Sequence, residues 1–165
     1  MKPKVLIIMG SDSDLPVMEE TAKVLADFNI PFSMTVASAH RTPQRTVSVI
    51  RDAEKEGVEV IIGAAGMSAH LPGVIASHTV LPVIGVPLDA SSLNGMDALL
   101  SIVQMPPGIP VATVAIGKAG AKNAAILAAQ IIARKDAQLT KKLLEHRKKM
   151  TKEIEEKARK VEKKK

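Results

Sequence analysis

A doubly wound parallel α/β sheet of five core strands, with a C-terminal helical extension, is the fold class the sequence predicts, and three observations predict it. Five short apolar runs are continuous rather than alternating, as strands buried on both faces require. Segments with apolar residues at helical spacing separate those runs, which is the pattern of strand-to-strand crossovers by helices. Three of the strand ends lead into loops rich in Gly, Ser or Ala, where open α/β sheets hold their ligands.

The elements follow in order. Val5 to Met9 is the first strand and stops at Gly10. After the loop Gly10-Ser11-Asp12-Ser13-Asp14, Pro16 enters a helix whose apolar positions Met18, Ala22, Leu25 and Phe28 share a face. The second unit runs from Phe32 through Ala37 into Ser38-Ala39-His40-Arg41-Thr42-Pro43, with Val47, Ile50 and Ala53 as the buried helix stripe and Gly57 as the stop. Val58 to Ile62 is the third strand and opens into a bare loop, Gly63 to Gly73. Pro82 to Pro87 is the fourth strand, followed by a helix over Asp97 to Val103 and a stiff loop, Met105 to Pro110. Val111 to Ile116 is the fifth; Gly117 to Asn123 then leads into an Ala-rich helix ending near Ala133.

From Asp136 on, Leu139, Leu143, Met150, Ile154 and Val161 recur among Lys, Arg and Glu as an amphipathic helix. Residues 1–135 therefore read as one α/β domain and 136–165 as a basic helix expected to pack on a neighbouring subunit or to fray.

Composition removes several function classes. With no Cys, neither disulfides nor thiolate chemistry is available. The five-residue apolar run near the N-terminus fits neither a signal peptide nor a membrane span, so a cytoplasmic protein with no membrane partner is expected. The formal charge of +6 is uneven: residues 1–133 hold nine Lys and Arg against eleven Asp and Glu, and residues 134–165 hold fourteen against six. A basic tail on an acidic body with no Trp or Tyr and two Phe does not resemble a nucleic-acid binder, which spreads charge over its fold and offers aromatic platforms.

Three loops carry chemistry. The hydroxyls and backbone N–H groups of Ser11 and Ser13 can share a concavity with a phosphate, although the loop lacks the glycines of a dinucleotide fingerprint and the Lys of a P-loop. Asp14 suits either sugar hydroxyls or the helix N-cap. In the second loop, Arg41 offers a fork for phosphate or carboxylate. That guanidinium and the helix start beside His40 disfavour an imidazolium and leave a ring able to take and return a proton; a plain helix-capping role is the alternative. In the third loop, small residues let backbone amides approach a carboxylate or CO2, or else pack a helix tightly on the sheet, and His70 ends the stretch. Lys118 either reaches an anion at the same sheet edge or is solvated. His146 sits among charges and reads as inert, and His78 has no distinctive company.

Taken together, Met9-Gly10-Ser11-Asp12-Ser13-Asp14, Ser38 to Pro43, Ala69-His70-Leu71-Pro72-Gly73 and Ser101-Ile102-Val103-Gln104-Met105-Pro106 resemble the class I 5-(carboxyamino)imidazole ribonucleotide mutases of purine biosynthesis, over roughly residues 4–135. Gly66-Met67-Ser68 departs from the Gly-Gly-Ala of many members. The resemblance implies a three-layer, flavodoxin-like sheet and a carboxylate moved from an exocyclic nitrogen to ring carbon C4 of an aminoimidazole ribonucleotide. It implies Ser11, Ser13, Ser38 and Arg41 on the 5′-phosphate, Asp14 on the ribose, His40 as general acid/base and His70 in support. Gly10, Ala39, Gly66, Ser68, Ala69 and Leu71 complete the implied substrate contacts. It further implies no metal or other cofactor, and a homo-octamer. The competing expectations are a carboxylase of the same fold using free CO2, an FMN binder, disfavoured by the missing aromatics, and an interaction module built on the basic tail.

Overall fold

The structure is a computed structural model describing residues 2–163. Five parallel strands, β1 (Val5–Met9), β2 (Phe32–Val36), β3 (Val60–Gly66), β4 (Val83–Leu88) and β5 (Ala112–Thr113), lie in the order β2-β1-β3-β4-β5. The register sets Met9 beside Val36 and Ala64, so β1 and β2 end level and β3 runs two residues past them at the same carboxyl edge. The order reverses between β1 and β3, which opens a crevice beyond that edge.

Among the described residues five helices cover the two faces, α1 (Leu15–Asp27), α2 (Pro43–Glu56), α3 (Leu71–Ser77), α4 (Met96–Val103) and α5 (Gly117–Ala133), and a sixth, α6 (Ala137–Glu162), packs on α5 by its first turns. Val5, Ile7 and Met9 of β1 point into one core with Met18 and Leu25 of α1 and the alanines of α5. Leu6 and Ile8 point the other way, into a core with Ile50 of α2, Ile75 of α3 and Ile102 of α4. Alternate residues of one apolar run thus feed opposite cores, which is why these strands carry no polar alternation. The buried Thr21 hydroxyl donates to the Ala121 carbonyl at 2.8 Å and fixes α1 on α5 where alanines leave no bulk between the helices.

Several expected boundaries move. The third strand begins two residues later than expected and runs on to Gly66, so the first four residues of the bare loop are strand. An added Cβ at Gly63 would lie 2.9 Å from Ile75 Cδ1, so at that position the missing side chain serves helix-to-sheet packing. β5 is only two residues long, although Val114 N–H still donates to the Gly85 carbonyl at 3.1 Å. The Ala-rich helix starts at Gly117, ahead of Asn123, and Lys118 lies exposed in its first turn. On α2 the buried stripe is Thr46, Ile50 and Ala53, and Val47 is only half-buried. Gly57 does end that helix, in the left-handed conformation at φ 87°.

The start of α6 corrects a larger expectation. Leu139 is buried in the core of its own domain and Leu143 packs against it, while Lys142 Nζ donates to the Phe28 carbonyl at 3.1 Å. The ring of His146 meets Phe28 edge-on at 5.4 Å between centroids, so it has a neighbour after all. Only beyond that point does the stripe lie open, at Met150, Ile154 and Val161. Leu139→Ala is therefore expected to cost about 3 kcal/mol in urea unfolding, the ordinary cost of emptying a buried Leu site. Among the described residues no helix is long and apolar enough to cross a membrane.

Candidate active site

The site grows from what each strand end does next. After β1, Ser11 Oγ accepts the Ser13 N–H at 3.3 Å, and Asp14 Oδ2 accepts the Ser11 N–H at 3.0 Å. This reciprocal capping coils residues 12–14 into a short 3-10 turn and sets both serine hydroxyls toward solvent, 2.9 Å apart. Asp14 occupies the N-cap position of α1 but makes no side-chain cap bond there, since its carboxylate turns back to Ser11.

After β2, Thr42 Oγ1 accepts the Ser38 N–H at 2.9 Å and Ser38 Oγ accepts the Arg41 N–H at 3.1 Å, which folds residues 38–42 into a compact turn. Thr42 is the N-cap of α2, with Pro43 as the first helical residue, so His40 is not a helix cap. Its side chain stands out of that turn. Arg41 Nη2 donates to the Gly10 carbonyl at 3.0 Å, tying the second loop to the first, and Arg41 Nε donates to Ser38 Oγ at 3.5 Å, which leaves Nη1 open.

After β3, Met67 adopts φ 55°, and two tight turns follow, with Ala69 N–H donating to the Met67 carbonyl at 2.9 Å and His70 N–H to the Ser68 carbonyl at 2.7 Å. They deliver His70 to His40: His40 Nε2 lies 2.8 Å from His70 Nδ1, with the rings edge to face at 4.9 Å between centroids. One of the facing nitrogens must donate and the other accept, so a second proton between them would set two N–H groups head to head.

These loops enclose an open cleft of ≈ 750 Å³. Among the expected residues it is lined by Gly10, Ser11, Ser13, Asp14, Ser38, Ala39, His40, Arg41, Gly66, Ser68, His70 and Leu71. Ala69 is the exception; it is 1% exposed and packs beneath the cleft in the core with Ile8 and Ile75. Three further residues line the cleft: Ala65 and Met67, which lie in the bare loop but were not among the expected contacts, and Ala90, which lies outside all three loops. Ala90 follows β4, and the rule that α/β ligands sit beyond strand carboxyl ends would have found it.

Burial raises the Asp14 carboxyl above its usual range, and the hydrogen bonds from Ser11, Ser13 and Gly10 only partly offset this. A raised carboxylate pKa means that the folded state holds its proton longer than the unfolded one, so this group costs stability as pH climbs through the folded value. That cost is present once the pH has risen past the folded value. Asp14→Asn is thus expected to raise the thermal midpoint at pH 7 and to flatten its dependence on pH above the ordinary carboxylate range. It is also expected to weaken nucleotide binding about tenfold, since a charged acceptor is lost. Melting curves from pH 4 to 7 and calorimetric titration check both halves; a lower midpoint at pH 7 would refute the first.

Comparison with known proteins agrees with this geometry. A family profile described as AIR carboxylase matches residues 4–153. The N5-carboxyaminoimidazole ribonucleotide mutase of Pyrococcus horikoshii is 58% identical over 161 residues, covering 98% of this chain and 90% of that protein. The N5-carboxyaminoimidazole ribonucleotide mutase of Thermotoga maritima is 55% identical over 160 residues, covering 97% and 92%. Among solved structures, Treponema denticola PurE superposes with a TM-score of 0.85 at 32% identity, covering 93% of this chain and 95% of that one. A sheet whose strand ends build one histidine-centred cleft, matched by that profile over nearly its whole length, places this chain in the AIR carboxylase family.

Proposed function

We propose that this chain is an isomerase of purine biosynthesis that converts N5-carboxyaminoimidazole ribonucleotide into 4-carboxy-5-aminoimidazole ribonucleotide. The observation that supports it most is a single cleft combining an anion cradle, a histidine pair and a turn of nearly bare backbone, in a chain more than half identical to proteins named for that mutase.

In this reading each residue of the cleft has a role. Ser11, Ser13, Ser38 and the free part of the Arg41 fork take the 5′-phosphate through neutral and charge-assisted hydrogen bonds. Asp14, acceptor-only when ionised, takes the ribose hydroxyls. His40 delivers a proton to the carbamate nitrogen; the C–N bond breaks, its electron pair stays on nitrogen, and CO2 leaves. Ring carbon C4 then attacks CO2, and His40 removes the proton from C4, so one proton leaves the imidazole and one returns. His70 supports the cycle by accepting from or donating to His40 across their contact. Holding CO2 beside C4 turns recapture into an effectively unimolecular step. No step calls for a metal or an organic cofactor.

The assembly belongs to the same reading: a cytoplasmic homo-octamer, with the exposed Met96, Leu100 and Val103 of α4 and the distal stripe of α6 as the apolar surfaces another copy would cover. Sedimentation equilibrium measures it.

The family description names a carboxylase, and one assay separates the two activities. Supplied with the carbamate substrate and no bicarbonate, the protein is expected to form the C4-carboxylated product. Product formed only from the uncarboxylated amine, and only with added bicarbonate, would assign the carboxylase instead.

A further inference from the structure

Met67 stands where an L side chain is out of place. Its φ of 55° lies in the left-handed region that glycine enters without steric cost. That conformation is needed, since it starts the paired turns that carry His70 to His40. The side chain is not needed for the turn. It is also not part of the core: Met67 is 61% exposed, while Ala65 and Ala69 on either side of it are buried. What the side chain does do is line the cleft that holds both histidines, as a long thioether among Gly66, Ser68, Ala39 and Ala90, none of which reaches far. An unbranched, polarizable chain with three rotatable bonds adapts its shape to a small apolar guest. The cleft is open to solvent, yet the reaction proposed above requires released CO2 to meet C4 before it diffuses away.

We propose that Met67 is the cover of this site: its side chain folds over the CO2 freed beside His40 and retards its escape. The inference rests on the mutase reading. It also accounts for a strained residue occupying a position that glycine would fill more easily.

The test uses the full chain, the carbamate substrate and dissolved ¹³C-labelled CO2, and counts label in the C4-carboxylated product per turnover. In the unsubstituted protein little label is expected, because the transferred carboxylate is recaptured before exchange. Met67→Gly keeps the turn without strain and removes the cover, so its midpoint of unfolding should hold or rise. Its label per turnover should rise at least about fivefold, the ratio produced by lowering one exit barrier by ~1 kcal/mol. Met67→Leu, apolar and of similar size, should restore low labelling. Equal labelling in the unsubstituted protein and Met67→Gly would overturn the inference and leave the mutase reading standing. A Met67→Gly protein with unchanged labelling but altered assembly size would overturn it too, making Met67 a subunit contact. No conversion of the carbamate by the unsubstituted protein would overturn both.

Discussion

His40→Asn is expected to lower turnover of the carbamate substrate at least ~100-fold, the lower range for removing a general acid/base. Nucleotide affinity should change little. The separation follows from the site's construction. The anion cradle is closed by bonds among Ser11, Ser13, Asp14, Ser38 and Arg41, and none of them passes through the His40 ring. Asn retains polarity and can still face His70 Nδ1, but it cannot accept and return a proton near neutral pH. Initial rates give the first half and calorimetric titration the second. Turnover within about fivefold of the unsubstituted protein would remove His40 from proton transfer, since even a modest acid/base contribution exceeds that factor. Loss of binding together with turnover would instead mean that the ring holds the second loop in place.

The second large effect concerns the fold. A Cβ added at Gly120 would lie 1.6 Å from the Ala115 carbonyl oxygen and 2.6 Å from its carbon. Both are backbone atoms, so no side-chain rotation relieves the overlap. Ala is a better helix former than Gly by ~1 kcal/mol, and in an exposed helix Gly→Ala would stabilise. Here the clash forces the connection from β5 away from the start of α5, and Gly120→Ala is expected to cost about 3 kcal/mol or more. Gly57→Ala is the informative comparison. Its φ of 87° also disfavours Ala, but nothing lies within 4 Å of the added methyl, so about 1 kcal/mol is expected. Urea unfolding with an unchanged m-value reads both. Equal losses at the two positions would mean that α5 shifts freely on the sheet.

Histidine placement shows how far local pattern reaches. His40 was legible in the sequence because it sits between a strand-forming run and a proline-started helix, and position in such a junction is a local property. Its contact with His70 was not. That contact depends on β1 lying between β2 and β3, and on a left-handed residue at Met67 that nothing in the neighbouring sequence demands. Ala69 shows the converse. A motif of small residues marks a site segment without telling which of its members face the ligand, and the turn at Met67 sends Ala69 inward to the core. On α6, periodicity revealed the apolar stripe but not its cover. Leu139 and Leu143 join the core beside Phe28, Ile30 and the last turn of α5, and those neighbours come together only once α1 and α5 have packed on the sheet.

The sequence by itself determined the class of fold, the order of its strands along the chain and the three loops that line the cleft, because apolar periodicity, turn residues and helix starts are all written within a few residues. The tertiary structure decided which atoms of those loops meet: the 2.8 Å histidine contact, the Arg41 bridge to Gly10, the inward turn of Ala69 and the exposed Met67. Each of these depends on the relative level of neighbouring strands, and that level is fixed by packing summed over two cores, so no single segment encodes it.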